Sequence, residues 1–289
     1  MSDYIISSET TCDLDKAYLD KLGVSVISME YFINGEGYGG EWNREMDVET
    51  FYAKMREGAK TSTSMVNEAV AEEYFRKLLE QKKDVLHVAF AKACSGTYDC
   101  LCSVAERLNK EYDNKVYVLD SKCESTGEGL LVELACNKKK EGKGVKYVYE
   151  YLSGLVEKIN LLFTVDNLKY LAAGGRVSKS SALIGNIAKI KPLLYVDETG
   201  KLTVGGKTIG RKISLAKLAS MAVEKFTGEY GKIYVSHADC VEDAEYVKEK
   251  ILSKLPDVEV VLEKIGFVIG SHSGPGTIAI FFVGKKRSF

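Results

Sequence analysis

The residues that could do chemistry are concentrated in four short polar segments of the chain. These segments are Lys60 to Ser64, Ala93 to Tyr98, Asp166 to Ser178 and Ile269 to Gly276. Together they offer hydroxyls, free backbone amides, one arginine and one histidine, which are groups that hydrogen-bond or pair with an anionic ligand. Each segment is therefore a candidate binding segment.

The segment around Ser95 lies soon after an apolar run, Val85 to Phe90, and opens a helix predicted to extend to about Asn109. A turn from strand to helix directs free backbone N–H groups and the positive end of the helix dipole at one point. A carboxylate suits this position, with the Ser95 hydroxyl as an additional donor. An ordinary serine helix cap explains the segment equally well, so both interpretations stay open.

Four consecutive hydroxyl residues, Thr61 to Ser64, follow a predicted helix stop at Gly58 and precede a helix predicted from about Asn67 to Gln81. They supply more donors than a helix cap requires. Serine and threonine nevertheless favour turns and helix entrances, so cap chemistry alone is the more common explanation of such a run.

Arg176 and His272 are the charged and titratable candidates. Arg176 follows a short capped helix that ends in two glycines, where it would bind an anion or, more commonly, a carboxylate of its own protein. His272 lies among three glycines and a proline, which predicts a sharply bent loop that approaches a ligand closely. A role in a site is the favoured interpretation for His272, with turn filler as the alternative.

The elements that would position these segments alternate between short apolar runs and amphipathic stretches, which is typical of α/β proteins. Asp13 is predicted to cap a helix that ends at Gly23, and Ser125 with Glu128 forms a capping-box pattern. The second half restarts with its own strand, a hairpin, helices and two last strands. We therefore predict two α/β domains, residues 1–158 and 159–289, with a boundary error of several residues.

Size, charge and cysteine usage narrow the function classes. The chain has 289 residues, 45% of them hydrophobic, which exceeds one ordinary small core. Forty basic and forty-one acidic side chains leave a net charge of -1, so nucleic acid is not an expected partner. Seven cysteines without a Cys-x-x-Cys pair predict a reducing compartment and no zinc site. With no signal-peptide pattern and no membrane-length apolar run, we expect a cytoplasmic protein without stable membrane insertion.

Taken in order, six motifs resemble those of the DegV family over essentially the whole chain. They are Ser8 to Leu14, Lys60 to Ser62, Ser95 to Tyr98, Asp120 to Ser121, Leu168 to Arg176 and Ile269 to Gly276. The chain departs from the family pattern at Ser8, Glu9, Thr10, Thr63, Ser64 and Met65, and these departures bear on the shape of the carboxylate end.

The resemblance implies two α/β domains with a long-chain fatty acid in a tunnel between them. It also implies a non-catalytic carrier that presents the acid to a separate ATP-dependent fatty acid kinase, whose acyl phosphate serves bacterial phospholipid synthesis. No cofactor is expected beyond the bound fatty acid. By the same resemblance Ser180 to Leu194 would line part of the tunnel. The residues implied at the carboxylate are Thr61, Ser95 and the Gly96 amide, with Ser62, Arg176, Gly270, Ser271 and His272 nearby.

Two other functions are consistent with parts of the sequence. In a Ser/His acyl hydrolase, Ser95 would be the nucleophile and His272 its base, although Ala93 and Thr97 replace both glycines of a Gly-x-Ser-x-Gly elbow. In a nucleotide binder, the glycine run from Gly35 to Gly40 would hold phosphates, but polar residues follow it instead of an apolar helix.

Overall fold

The structure is a computed structural model that describes residues 3–39, 46–178 and 189–289. Its first sheet is parallel, with strand order β2-β1-β6-β7. The strands are β1 Tyr4–Glu9, β2 Val24–Ile27, β6 Asp84–Ala89 and β7 Val116–Asp120. The four strands overlap the short apolar runs Tyr4 to Ile6, Val24 to Met29, Val85 to Phe90 and Val116 to Leu119, as is typical of strands covered on both faces.

The second sheet has six strands in the order β10-β9-β8-β13-β11-β12. Its strands are β8 Ile159–Thr164, β9 Ile190–Val196, β10 Leu202–Ile209, β11 Lys232–His237, β12 Glu259–Lys264 and β13 Ile278–Val283. Only β11 and β12 are parallel, and the other neighbours are antiparallel. The predicted hairpin is the β9–β10 pair.

A third, small sheet has the order β4-β3-β5. It comprises β3 Tyr31–Ile33, β4 Glu36–Tyr38 and β5 Thr61–Thr63. Its first turn, at Asn34 and Gly35, has positive φ at both residues, as a tight hairpin requires. The hydroxyl run is thus a strand, and its prediction as a helix-entrance turn was wrong.

Ten helices connect these strands in the described part of the chain. They are α1 Lys16–Leu22, α2 Val48–Arg56, α3 Glu68–Leu79, α4 Thr97–Glu111, α5 Thr126–Lys140, α6 Val145–Leu155, α7 Lys169–Ala173, α8 Arg211–Lys225, α9 Val241–Leu252 and α10 Phe267–Ser273. Short 3-10 turns span Thr10–Cys12 and Val156–Lys158.

Alternate residues of the central strands pack into different layers. On β13, one face joins the cluster around α5 and α6, and the opposite face packs with α8 and α9. On β6, Leu86 and Val88 join the α5 cluster, whereas Val85 and Ala89 pack with α3 and α4. The two sheets therefore share one helical layer between them, which confirms the α/β prediction.

Helix α5 is the centre of that shared layer. Its first eleven residues are all buried, and it contacts strands of both sheets. Gly127 and Gly129 permit this close packing, since a Cβ at Gly127 would lie 2.1 Å from Cys123 Sγ and one at Gly129 would lie 2.7 Å from Cys12 O. The four-stranded sheet lies within residues 1–158 and the six-stranded sheet within 159–289, and the two-domain division itself stays a prediction.

Two predicted caps were wrong. Helix α1 is capped by Asp15, while Asp13 accepts hydrogen bonds from Ser125 Oγ at 2.6 Å and from Gly266 N at 3.0 Å. Ser125 precedes α5 without capping it, and Glu128 bonds instead to Ser8 and Thr11. The local cap pattern failed at both places because these side chains hydrogen-bond to partners from distant segments.

Candidate functional site

An apolar cavity lies between the two large sheets and is covered by α10. Alternate positions of two neighbouring strands, Leu161 and Phe163 of β8 and Ala279 and Phe281 of β13, form part of the wall. Other apolar wall residues are Met29, Phe90, Leu171, Leu202, Ile265, Val268 and Ile269.

Polar side chains cluster at one side of the cavity, where β5 packs against α10. Thr63 Oγ1 and His272 Nε2 are 2.8 Å apart and hydrogen-bonded. Burial, together with the charge of Arg176, lowers the pKa of His272 to about 4. The imidazole is therefore neutral at pH 7 and offers one donor and one acceptor nitrogen.

Arg176 lies in the same wall, immediately after α7 and its two terminal glycines, as predicted. Its guanidinium donates to the carbonyl of Cys94 from Nε and Nη2, at 3.2 and 3.0 Å, and to the carbonyl of Gly174 from Nη1 at 2.5 Å. Among the described residues no carboxylate forms an ion pair with it. Of the two interpretations of Arg176, pairing with a carboxylate of its own protein is not seen within the described residues, and binding of an anionic ligand stays a prediction.

Ser95 also lines the cavity, in the turn before α4. Its hydroxyl is 2.9 Å from Thr97 Oγ1 and accepts from the Thr97 amide at 3.2 Å. The structure therefore brings Ser95, Thr63, Arg176 and His272 together around one cavity, although they come from four separate segments.

An open groove adjoins the cavity and holds three more of the predicted residues. Thr61, Ser62 and Ser271 line this groove but not the cavity itself. The Thr61 hydroxyl donates to the Ser271 carbonyl at 2.9 Å, and the Ser271 hydroxyl donates to the Phe267 carbonyl at 2.8 Å. Because successive side chains of a strand alternate, Thr61 and Thr63 project from one face of β5 and Ser62 projects from the other.

Gly96 and Gly270 line neither the cavity nor the groove. Gly96 is exposed beside Met65, whose sulfur would lie 2.9 Å from a Cβ at this position. Gly270 is inside α10, where its amide donates to the Gly266 carbonyl at 2.8 Å. The segment from Ile269 was expected to be a bent loop, and that expectation was wrong as far as Ser273.

Most of the predicted tunnel segment, Ser180 to Leu194, lies outside the described residues. Its described end belongs to β9, where Leu193 and Leu194 are buried in the two hydrophobic clusters on opposite faces of the sheet. Neither residue is in the cavity wall. The tunnel lining by this segment therefore stays a prediction.

Several polar wall residues were not predicted as site residues. They are Thr63, Cys94, Glu124, Ser125, Ser273 and Thr277. The position of Thr63 could have been inferred from the sequence, because a strand would place Thr63 on the same face as Thr61. Glu124 had none, since nothing in the local pattern shows that the residue before Ser125 faces an apolar cavity.

The arrangement does not support a Ser/His hydrolase. Ser95 bonds to Thr97 and His272 bonds to Thr63, and no hydrogen bond joins Ser95 to His272 in the described structure. The Nδ1 atom of His272 abuts Gly174, 2.3 Å from the position of a Cβ there, so no carboxylate orients the ring from that side. A general base needs both contacts.

The glycine runs do not form a phosphate loop in the described structure. In the run from Gly35 to Gly40, Gly35 and Gly37 belong to the β3–β4 hairpin, Gly39 follows β4, and Gly40 lies outside the described residues. Within residues 3–39, 46–178 and 189–289, no group of three or more His, Cys, Asp or Glu side chains could hold a metal ion, and no helix has the length and apolarity needed to cross a membrane.

The family model described as "Uncharacterised protein, DegV family" matches residues 5–285. The chain belongs to the DegV family. A DegV domain-containing protein of Clostridium perfringens, CPE0026, is 36% identical over 289 residues, which cover 99% of both chains. The family match and the alignment with this relative both extend over nearly the whole chain.

Solved structures place this DegV family member among proteins named for fatty acid binding. The fatty acid binding DegV family protein SAG1342 of Streptococcus agalactiae has a TM-score of 0.87 and 25% identity, covering 99% of this chain and 100% of that one. A DegV family protein of Thermus thermophilus, titled for its fatty acid binding, has a TM-score of 0.85 and 25% identity over 97% and 99% of the two chains.

Proposed function

We propose that this protein binds a long-chain fatty acid, with the acyl chain in the apolar cavity and the carboxylate at the cavity's junction with the groove. One observation carries the proposal. Thr63, Arg176 and His272 line both the cavity and the open groove. A carboxylate held by these three residues would have its hydrocarbon tail buried and its oxygens reachable from outside.

The acyl chain and the carboxylate contribute to the binding free energy in different ways. A long-chain acid has about fourteen methylenes, whose burial at ~0.8 kcal/mol each contributes on the order of 11 kcal/mol before the costs of ordering. A carboxylate taken from water costs several kcal/mol unless it is hydrogen-bonded. Arg176, the Thr63 and Ser95 hydroxyls, and His272 as a neutral donor would offset that cost. The cavity then sets affinity, and the polar end sets orientation.

The roles of the remaining predicted residues follow from their positions. Thr61, Ser62 and Ser271 line the groove, so we assign them to the outer side of the carboxylate site. Gly96 and Gly270 support the site by close packing, and their amides are not assigned to the ligand. Thr63 takes the position at the carboxylate that the family resemblance gave to Thr61.

The groove also suits presentation of the carboxylate to a second protein. Lys60 and Lys169 line it together with Arg176, so the surroundings of the carboxylate are basic. We infer that a separate ATP-dependent fatty acid kinase reaches the carboxylate through this groove in the cytoplasm and forms an acyl phosphate for phospholipid synthesis. The cationic groove would attract the negatively charged phosphoryl group, and the chain itself would catalyse no step.

Calorimetric titration of delipidated protein with stearic acid tests the binding proposal. We expect wild-type protein to bind one equivalent, and Arg176→Ala and Thr63→Val each to weaken binding by about tenfold or more. Ser253→Ala is a control, since the Ser253 hydroxyl bonds to the Lys250 carbonyl at the exposed end of α9. Equal affinity in all four proteins would refute the proposed carboxylate site.

The presentation step is tested by incubating stearate-loaded protein and ATP with and without the fatty acid kinase subunit of the same organism. Acyl phosphate, trapped as the hydroxamate, is expected only when both proteins are present. Formation by this chain alone would show that it is an enzyme. No product from the pair, at normal stearate affinity, would refute presentation and leave fatty acid binding intact.

A further inference from the structure

Two buried polar atoms in the cavity wall have no hydrogen-bond partner within the described chain. They are Oε2 of Glu124 and Oγ of Ser273. Each residue is only 6% exposed, so bulk water does not reach these atoms. Buried polar groups in folded proteins are nearly always hydrogen-bonded, and an exception at a cavity points to a partner that binds there.

Other polar groups of the wall are already used within the protein. The Ser125 hydroxyl donates to Asp13, and the Thr277 hydroxyl donates to the carbonyls of Ser273 and Gly274. The other carboxyl oxygen of Glu124 accepts from the Cys94 thiol at 3.1 Å. Glu124 Oε2 and Ser273 Oγ are thus buried polar atoms without a hydrogen-bond partner, on residues in the wall of a mostly apolar cavity.

A saturated acyl chain cannot form hydrogen bonds with Glu124 Oε2 or Ser273 Oγ. Its carboxylate is served by Thr63, Arg176 and His272, and its methylenes would lie against Glu124 and Ser273 without hydrogen-bonding them. A hydroxyl group on the chain both donates and accepts a hydrogen bond. It can donate to Glu124 and accept from the Ser273 hydroxyl, whereas a keto group can only accept.

We propose that the preferred ligand is a long-chain carboxylic acid with a hydroxyl group on its acyl chain, which Glu124 and Ser273 recognise by hydrogen bonding. This inference rests on the proposed fatty acid binding and names the substrate class of that same cavity. Burial raises the pKa of Glu124 to about 7. The carboxyl group accepts from a hydroxyl when ionised and donates to it when protonated, so recognition does not require one protonation state.

The test compares the affinity of delipidated protein for stearic acid with its affinity for 2-, 3-, 10- and 12-hydroxystearic acid by calorimetry. We expect at least one hydroxy acid to bind about tenfold or more tightly than stearic acid. Glu124→Leu and Ser273→Ala should each abolish that preference, measured as the ratio of the stearic acid Kd to the hydroxy acid Kd within one variant, so that a change in affinity common to all the acids does not affect it. Glu124→Gln should retain part of the preference, since an amide still donates and accepts.

The outcomes separate the two proposals. If stearic acid binds but no hydroxy acid is favoured, or if the preference survives in Glu124→Leu and Ser273→Ala, the hydroxy acid inference is overturned and fatty acid binding stands. If no acid of the panel binds to wild-type protein, both proposals fail. Thermal unfolding of each variant shows whether a loss of stearic acid binding comes from misfolding, and the folded variants then decide the case.

Discussion

Replacing Gly174 with alanine should displace His272 from the mouth of the cavity. Gly174 has φ -76° and ψ -10°, so alanine fits the backbone there without strain. Its methyl carbon, however, would lie 2.3 Å from His272 Nδ1 and 3.1 Å from Cε1. Because non-bonded heavy atoms prefer about 3.5 Å or more, the ring must move by roughly 1 Å. That movement breaks the 2.8 Å hydrogen bond between His272 Nε2 and Thr63 Oγ1.

The expected cost combines the lost hydrogen bond with a strained side-chain torsion. These contribute about 0.5–1.5 kcal/mol each, or ~1–3 kcal/mol together. If the whole cost reduces the free energy of binding, the Kd for stearic acid rises about 5-fold to 150-fold. Calorimetry with stearic acid and urea unfolding would be measured on the same preparations. The control is Gly154→Ala on the exposed side of α6, where a Cβ meets nothing within 4 Å.

The control should bind as wild type does and gain up to about 1 kcal/mol in free energy of unfolding, because alanine is the better helix former. If Gly174→Ala keeps the wild-type Kd within twofold and unfolds at the same urea concentration, His272 is not held as described. If only its stability falls, His272 is a packing residue and does not touch the ligand.

Three further outcomes test other parts of the structure. Wild-type protein should lose free energy of unfolding relative to His272→Gln as the pH falls from about 6.5 to 4, by at most ~1.4 kcal/mol per pH unit. The imidazole takes up a proton in this range in the unfolded chain, but not in the folded protein, where its pKa is about 4. A pH titration of urea midpoints measures this difference. Lys232→Met should lower the free energy of unfolding by about 3 kcal/mol, because it removes the cation that lies 2.6 Å from the buried Glu133 carboxylate. Lys110→Met, at an exposed ion pair, should lower it by less than about 0.5 kcal/mol. Equal urea midpoints for the two variants would contradict this prediction. Gly127→Ala should lower the thermal midpoint despite the higher helix propensity of alanine, because its methyl group would lie 2.1 Å from a buried cysteine sulfur.

The strands and most helices could be predicted because their signals are local. Runs such as Val85 to Phe90 and Leu161 to Val165 are mostly apolar, interrupted only by His87 and Thr164, as is typical of strands covered on both faces. Helix α2 follows an Asp47 cap, and α6 buries a stripe of helical period that includes Val148 and Leu152; both signals lie within the segment itself. In these segments the neighbouring residues alone determine the conformation.

Helix α10 could not be predicted, because its composition indicates a loop and its stability comes from elsewhere in the chain. Asp13 bonds to the amide of Gly266 at its start, and Gly270 lacks the Cβ that would collide with the Tyr52 hydroxyl 2.3 Å away. Both contacts join residues more than 200 positions apart. No pattern within the segment from Ile269 to Gly276 contains that information.

The positions of the predicted site residues depend partly on information outside their own segments. The resemblance to the family brought Ser95, Arg176 and His272 into one site, and the structure places all three around the cavity. The choice between Thr61 and Thr63 depends on how β5 pairs with β3 and packs on α10, which is a nonlocal register. A run of four hydroxyls cannot show which of its members faces the ligand.

Fatty acid binding is tested most directly by organic extraction of the purified protein followed by quantitative mass spectrometry. We expect about one long-chain carboxylic acid per chain in wild-type protein. We expect a sharp reduction in a folded Thr63→Val, Arg176→Ala double variant, which loses two groups that hold the carboxylate. Protein that carries no acid, and takes up none when it is incubated with stearic acid, would contradict the claim that the cavity between the two sheets is an acyl-chain site.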